Sequence, residues 1–280
     1  MEAGETAEQA VLREVKEETG LDVEIIQKIG DYHEVGVQDG IKYDYSPTCY
    51  LVKPVGGHLV RQEEEIEELK LFDPPDIPLP LAFEHTYMIK DYLQLLEITR
   101  VSEDIQRCVK CQLHMTRLNA VPGEGPCNAR ILICGQAPGR TEDAQGRPFV
   151  GRAGHVLDEL LDSIHLRRDE VFITSSVKCF PPRNRLPKPD EVRTCAPYLE
   201  AQLKIIAPQM IIALGNVALH TLLGSNVTIS SSHGKPLQRH GVTIFPTFHP
   251  AAALRFSRIR ALMEADFKQL EKQIPRGLIL

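Results

Sequence analysis

Residues 130–139 read RILICGQAPG: an apolar run that ends at Gly135 and opens into a turn of glycine and proline. Three short runs repeat the pattern, VFIT at 171–174, MIIAL at 210–214 and TIFP at 243–246. Four or five apolar residues without alternation mark strands buried on both faces. Around them, residues 156–163, 190–206, 217–223 and 259–273 carry helical periodicity. Strands alternating with helices predict an α/β unit, a central parallel sheet covered on both faces. Such sheets bind ligands beyond the carboxyl ends of their strands. The loops after Cys134, Thr174 and Phe245 are therefore where function is expected.

Working toward the N-terminus, the pattern changes. Residues 5–19 read as a helix closed by Gly20. Strand-like stretches follow at 23–26, 48–52 and 69–72, two of them separated by a turn at Val55-Gly56-Gly57. The proline-rich run 73–80 reads as a rigid connector, and 84–96 as a last helix. The expected organisation is one unit over residues 1–98 and a second over 101–280. Charge divides the same way. Residues 1–100 hold 9 Lys/Arg and 22 Asp/Glu, whereas 101–280 hold 23 and 16. A basic second unit points to nucleic acid as its partner. No run of 18 apolar residues exists, so no membrane partner is expected, and the acidic opening MEAGETAEQA is no signal peptide, so a cytoplasmic location is expected.

Seven cysteines in a chain of this kind argue for ligands over disulfides. Cys108 and Cys111 form a C-x2-C pair, and Cys179 and Cys195 stand 15 residues apart further on. Four thiolates suit Zn²⁺ or a [4Fe–4S] cluster, and spacing alone does not separate the two. Cys127 and Cys134 are spare, the latter a small buried hydrophobe, and Cys49 is structural.

In the first unit, Glu14, Glu17 and Glu18 fall on one helical turn, where like charges repel unless a cation neutralises them. Carboxylates so placed suit Mg²⁺ and a diphosphate substrate, although a solvated acidic face is the plainer reading. The stretch ETAEQAVLREVKEETGL resembles the Nudix box, with Glu5, Arg13, Glu14, Val15, Glu17, Glu18, Gly20 and Leu21 at the required spacing. EEIEELKLFDPPDIP, residues 64–78, is similar to the tail of that family. The resemblance implies a Nudix α/β/α domain over residues 4–97, incomplete because the opening glycine of the box and the leading strands would precede Met1. It implies Glu14, Glu17 and Glu18 as possible Mg²⁺ ligands and nucleoside diphosphate derivatives as possible substrates.

In the second unit, VPGEGPCNARILICGQAPGRTEDAQGRPFVGRAG, ITSSVKCFPPRNRLPKPDEVRTCAPYL and FHPAAALR resemble, in order, the motifs of family 4 uracil-DNA glycosylases. The resemblance spans residues 101–272. It implies a three-layer α/β/α fold, a [4Fe–4S] cluster on Cys108, Cys111, Cys179 and Cys195, and hydrolysis of the N-glycosidic bond of uracil in DNA. A flipped base needs a pocket. Phe149 is the expected stacking ring, and the turn Gly135-Gln136-Ala137 the expected backbone edge. His249 is the expected donor to uracil O2, as in an oxyanion hole. Glu142, with Asp143 as second choice, is the expected carboxylate near the sugar. Leu254 is the expected wedge and Arg255 a phosphate contact, both in a short loop. Arg183, Arg185 and Lys188 are further candidates for the DNA backbone.

Two positions depart from that family. Gln136 stands where the family has Glu, and Ser175 where it has Asn, whose amide reads the N3–H and O4 edge. Ser175 is shorter and offers one hydroxyl, so base preference is expected to widen to other deaminated bases unless Ser176 or a water compensates. The competing readings are a Nudix pyrophosphatase with an appended damage-binding module, and a DNA-binding protein that recognises damage without excising it.

Overall fold

The computed structural model describes residues 4–38, 41–60, 67–81 and 85–274. The chain forms two compact units, Met1–Leu96 and Glu97–Leu280.

The first unit opens with α1, Ala7–Thr19. Thr6 and Gln9 form a reciprocal cap at its start, and Gly20 ends it in the left-handed conformation, φ 73°. β1 (Leu21–Asp31) pairs antiparallel with β4 (Thr48–Gly57), and β2 (Glu34–Gln38) with β3 (Ile41–Tyr45). α1 is tied to β4 where Tyr50 Oη donates to Glu8 Oε1 at 3.1 Å. Three expectations are corrected. Val55-Gly56-Gly57 is the end of β4 and not a turn, because Pro54–Gly57 keep their pairing with Leu21–Val23. Residues 69–72 form no strand, and Leu71 and Phe72 stand exposed without a partner sheet. The last helix, α2, is His85–Gln106 and runs well beyond residue 96, since no breaker interrupts the sequence there. Glu84 and residues 64–66 of the second Nudix-like stretch lie outside the described residues.

The second unit is built on a five-stranded sheet. Its elements are β5 (Ile131–Gly135), α3 (Arg140–Gln145), α4 (Arg152–Asp162), β6 (Phe172–Ser175), α5 (Pro189–Ile206), β7 (Met210–Leu214), α6 (Gly215–Leu223), α7 (Ile229–Ser232), β8 (Leu237–Arg239), β9 (Val242–Thr247), α8 (Pro250–Ala253) and α9 (Ser257–Glu271). The strand order is β6-β5-β7-β9-β8. The first four are parallel, and β8 pairs antiparallel with β9 at the edge. The edge strand escapes sequence reading because LQR has no apolar run. The sheet is thus mostly, not wholly, parallel.

Alternate residues of each strand feed two faces. Ile131, Ile133, Ile173, Ile212 and Phe245 pack with Leu157, Leu160 and Leu161 of α4 and with Met263, Phe267 and Leu270 of α9. Leu132, Ile211 and Ile244 are buried on the opposite face, where Thr174 also bonds Gln202 of α5. Full burial of one such side chain stabilises by about 1.5–3 kcal/mol, so the strands are fixed by their two covered faces. The chain leaves β5 toward β6 on one side and reaches β7 on the other. The crevice above the carboxyl end of β5 is therefore a topological switch point. Among the described residues no helix is long and apolar enough to cross a membrane.

Candidate functional site

Above that switch point a pocket opens, lined by Gln136, Ala137, Glu142, Phe149, Ser175, His249, Leu254 and Arg255, among others. Gly135 lies behind the wall. Its backbone is so close to Phe149 that a Cβ there would meet the ring at 2.6 Å. The carbonyls of Gly135 and Gln136 accept from the amides of Ser176 (2.9 Å) and Val177 (3.0 Å), which fixes the turn.

Phe149 is 8% exposed and adopts φ 48°, a left-handed conformation that costs a non-glycine residue roughly 1–3 kcal/mol. The strain is sustained by what surrounds it. Its ring packs over Gly135 and stacks on the His249 imidazole, centroids 5.9 Å apart and planes at 28°. The ring belongs to both the core cluster and the pocket wall.

His249 caps α8, and its Nδ1 accepts from the Ala251 amide at 3.2 Å. An imidazole that accepts at Nδ1 carries its proton on Nε2. Desolvation pushes its pKa down to about 4, so the ring is neutral near pH 7 with Nε2–H as a donor. Leu254 and Arg255 lie in a short connection, and residues 250–253 before them form the helical turn α8. Pro at its first position and the His249 cap explain this.

Glu142 is held by the backbone. Its Oε1 accepts from Gly151 N at 2.8 Å and its Oε2 from Gly139 N at 3.1 Å, so it closes the 139–151 loop on itself. Asp143 turns away from the pocket. It is 4% exposed and accepts from the amides of Leu118 and Asn119. Ser175, 6% exposed, lines the pocket. Ser176 does not, because its hydroxyl donates to Gly135 O at 3.1 Å beneath the turn. It therefore gives Ser175 no help in reading a base.

Sequence reading missed Arg140, Arg152, Asn184, Leu186 and Phe256, which also line the pocket. Among the described residues no carboxylate pairs with Arg140, Arg152 or Arg255. Leu254, Leu186 and Phe256 are 40%, 68% and 61% exposed, apolar side chains standing at the mouth. A surplus of cations among them was the available signal. Arg185, by contrast, is spent on Glu191 at 2.6 and 2.8 Å.

A second cavity is lined by Cys108, Cys111, Cys179 and Cys195 with Arg117 and Tyr198. Arg117 Nη1 donates to Cys179 Sγ at 2.9 Å, and the Lys178 amide to Cys195 Sγ at 3.3 Å. Donors aimed at sulfur are the outer shell a thiolate ligand needs. Burial pushes the Cys195 thiol up to about 11, so a thiolate persists there only against a cationic centre. Among the described residues no three His, Cys, Asp or Glu side chains close on a single ion. An all-thiol set spread around a cavity fits a multinuclear centre better than a tetrahedral ion with ligands at about 2.3 Å. Cys127 and Cys134 are buried elsewhere.

In the first unit Glu14 and Glu17 sit on the Arg13 guanidinium, at 3.3 and 2.7 Å, with Glu5 on its other edge. Glu18 is exposed. One guanidinium carries one positive charge against these three carboxylates.

An open-sided crevice at the switch point of a doubly covered parallel sheet, walled by a stacked ring and a neutral imidazole, defines an α/β protein built to hold a planar ring. Residues 122–273 match the Uracil DNA glycosylase superfamily, and the chain belongs to it, in the type-4 branch. It is 44% identical over 181 residues to the type-4 uracil-DNA glycosylase of Thermotoga maritima, covering 64% of this chain and 93% of that protein. It is 42% identical over 184 residues to that of Sulfurisphaera tokodaii, covering 62% and 84%. With that of Archaeoglobus fulgidus it shares 44% over 178 residues, covering 61% and 89%. Residues 1–92 match the NUDIX domain.

Proposed function

We propose that the second unit removes uracil from DNA by hydrolysing its N-glycosidic bond, leaving an abasic site. The stacking of Phe149 on His249 at the rim of one pocket carries this reading. A base flipped from the strand enters the pocket and lies against the Phe149 ring. Backbone amides of Gln136 and Ala137 and the Ser175 hydroxyl meet its polar edge. As the bond lengthens, negative charge gathers on uracil O2, and neutral His249 donates to it from Nε2. Glu142, its carboxylate held by two amides, supplies a fixed negative field for the developing positive charge on the sugar. Arg140, Arg152 and Arg255 take the phosphates, and Leu254 fills the gap the flipped base leaves.

Cys108, Cys111, Cys179 and Cys195 hold a [4Fe–4S] cluster in this reading. Held by these thiols, the cluster would tie the segment after α2 to the loop after β6 and to α5, away from the bond that is cleaved.

Incubating the iron-loaded protein with uracil-containing oligonucleotides, with and without EDTA, tests the proposal through strand scission at abasic sites. Scission unaffected by EDTA is expected. No scission in either case refutes it.

A further inference from the structure

The geometry points to Arg168 as the positioning residue that holds Phe149 in its stacking pose. This rests on the glycosylase reading above. Arg168 lies in the turn before β6, outside the pocket. Its guanidinium grips the two carbonyls at the root of the ring: Nη2 donates to Pro148 O at 2.6 Å and Nη1 to Phe149 O at 3.2 Å.

The guanidinium is itself oriented from two elements. Asp158 of α4 accepts from Nη1 at 2.9 Å, and Glu124 accepts from Nη2 at 2.9 Å. Arg147 secures Glu124 from its other side at 2.8 Å. Glu124 is also bonded through its backbone to Ile173 of β6 in both directions, at 3.0 and 2.8 Å. Arg168 therefore refers the Phe149 backbone to the strand that ends in Ser175. Gly154 completes the seat, because a Cβ there would lie 1.8 Å from Phe149 O. A planar fork makes these paired contacts, and the single ammonium of lysine does not.

Phe149 has positive φ, so the backbone does not hold this conformation unaided. Loosening the grip on its carbonyl lets the ring swing from His249. Displacing a ring that orients the base by about 1 Å lowers kcat/KM by about 10- to 100-fold.

The test compares Arg168→Ala, Arg168→Lys, Phe149→Ala and the double variant Phe149→Ala/Arg168→Ala in their iron-loaded form, by thermal melting and by excision from a single-stranded uracil oligonucleotide. Arg168→Ala and Arg168→Lys should both lose activity. In the Phe149→Ala background, Arg168→Ala should change the rate by less than about 2-fold, because its effect passes through the ring. The His249 ring protons should shift in Arg168→Ala in the same sense as in Phe149→Ala, through loss of the Phe149 ring current. Losses that multiply in the double variant, or an unmoved His249 signal, overturn the assignment. Should Arg168→Ala fail to fold, Arg168→Gln enters the same cycle. Wild-type protein that releases no uracil defeats the glycosylase reading instead, while the His249 shift still decides the role of Arg168.

Discussion

The Phe149 ring and the His249 imidazole, 100 residues apart in sequence, stack with centroids 5.9 Å apart. One comes from the 139–151 loop and the other from the end of β9. The fold brings them together, the Phe149 backbone held by Arg168 and the imidazole placed by the strand it follows.

Phe149→Ala removes the stacking face. A base–aromatic stack is worth about 1–3 kcal/mol, so kcat/KM should fall roughly 5- to 150-fold. Gly135→Ala should act similarly without touching the ring chemically, since its Cβ would occupy the ring's place. Steady-state excision rates on one oligonucleotide compare the two. Full activity in Gly135→Ala would mean that the ring position is immaterial.

His249→Ala should lower kcat roughly 100- to 1000-fold, as loss of an oxyanion donor does. The pKa of His249, about 4 when folded, lies below the usual value for an unfolded chain, about 6.5. The folded protein resists protonation at this site, so the associated stability is whole above about pH 6.5 and declines as pH falls toward 4. Protonation also puts a hydrogen on Nδ1 and breaks the bond from Ala251. Following the His249 ring protons by NMR should give a midpoint near 4; one near 6.5 contradicts the desolvated setting of the ring.

Arg140, Arg152 and Arg255 have no ion-pair partners among the described residues and surround the pocket. Replacing each by Gln should raise KM for DNA with little change in kcat. Each phosphate left without its arginine should flatten the salt dependence of binding by about 0.7–0.9 in log–log slope. Binding isotherms across salt concentrations read this directly, and an unchanged slope removes the residue from the interface.

Cys179→Ser and Cys195→Ser should abolish the visible absorption of the purified protein. With the cross-link gone, Tm should drop on the order of 10 °C, several kcal/mol at about 2–4 °C each. Chelation by EDTA should not reproduce either change in the wild type. Colour retained in both variants would exclude these two thiols as ligands.

The four parallel strands, most of their helices and the four cysteines were legible because local signals carry them. An unbroken apolar run is buried wherever it falls, and ligand spacing and motif residues stand in the sequence itself. The convergence of side chains was not legible, because it depends on partners far along the chain. Asp143 and Glu142 are adjacent acids, yet one faces the amides of Leu118 and Asn119 while the other borders the pocket. Ser175 and Ser176 are adjacent hydroxyls, yet Ser175 lines the pocket while Ser176, just past the end of β6, donates to Gly135 O. Glu14 and Glu17 share one helical turn in the sequence, but that both meet Arg13, with Glu5 on its other edge, is seen only in the structure. Sequence determined which segments must be buried and which residues carry chemistry. Tertiary structure alone decided which of them meet, because side-chain direction and long-range hydrogen bonds are fixed only when the sheet has closed its two faces.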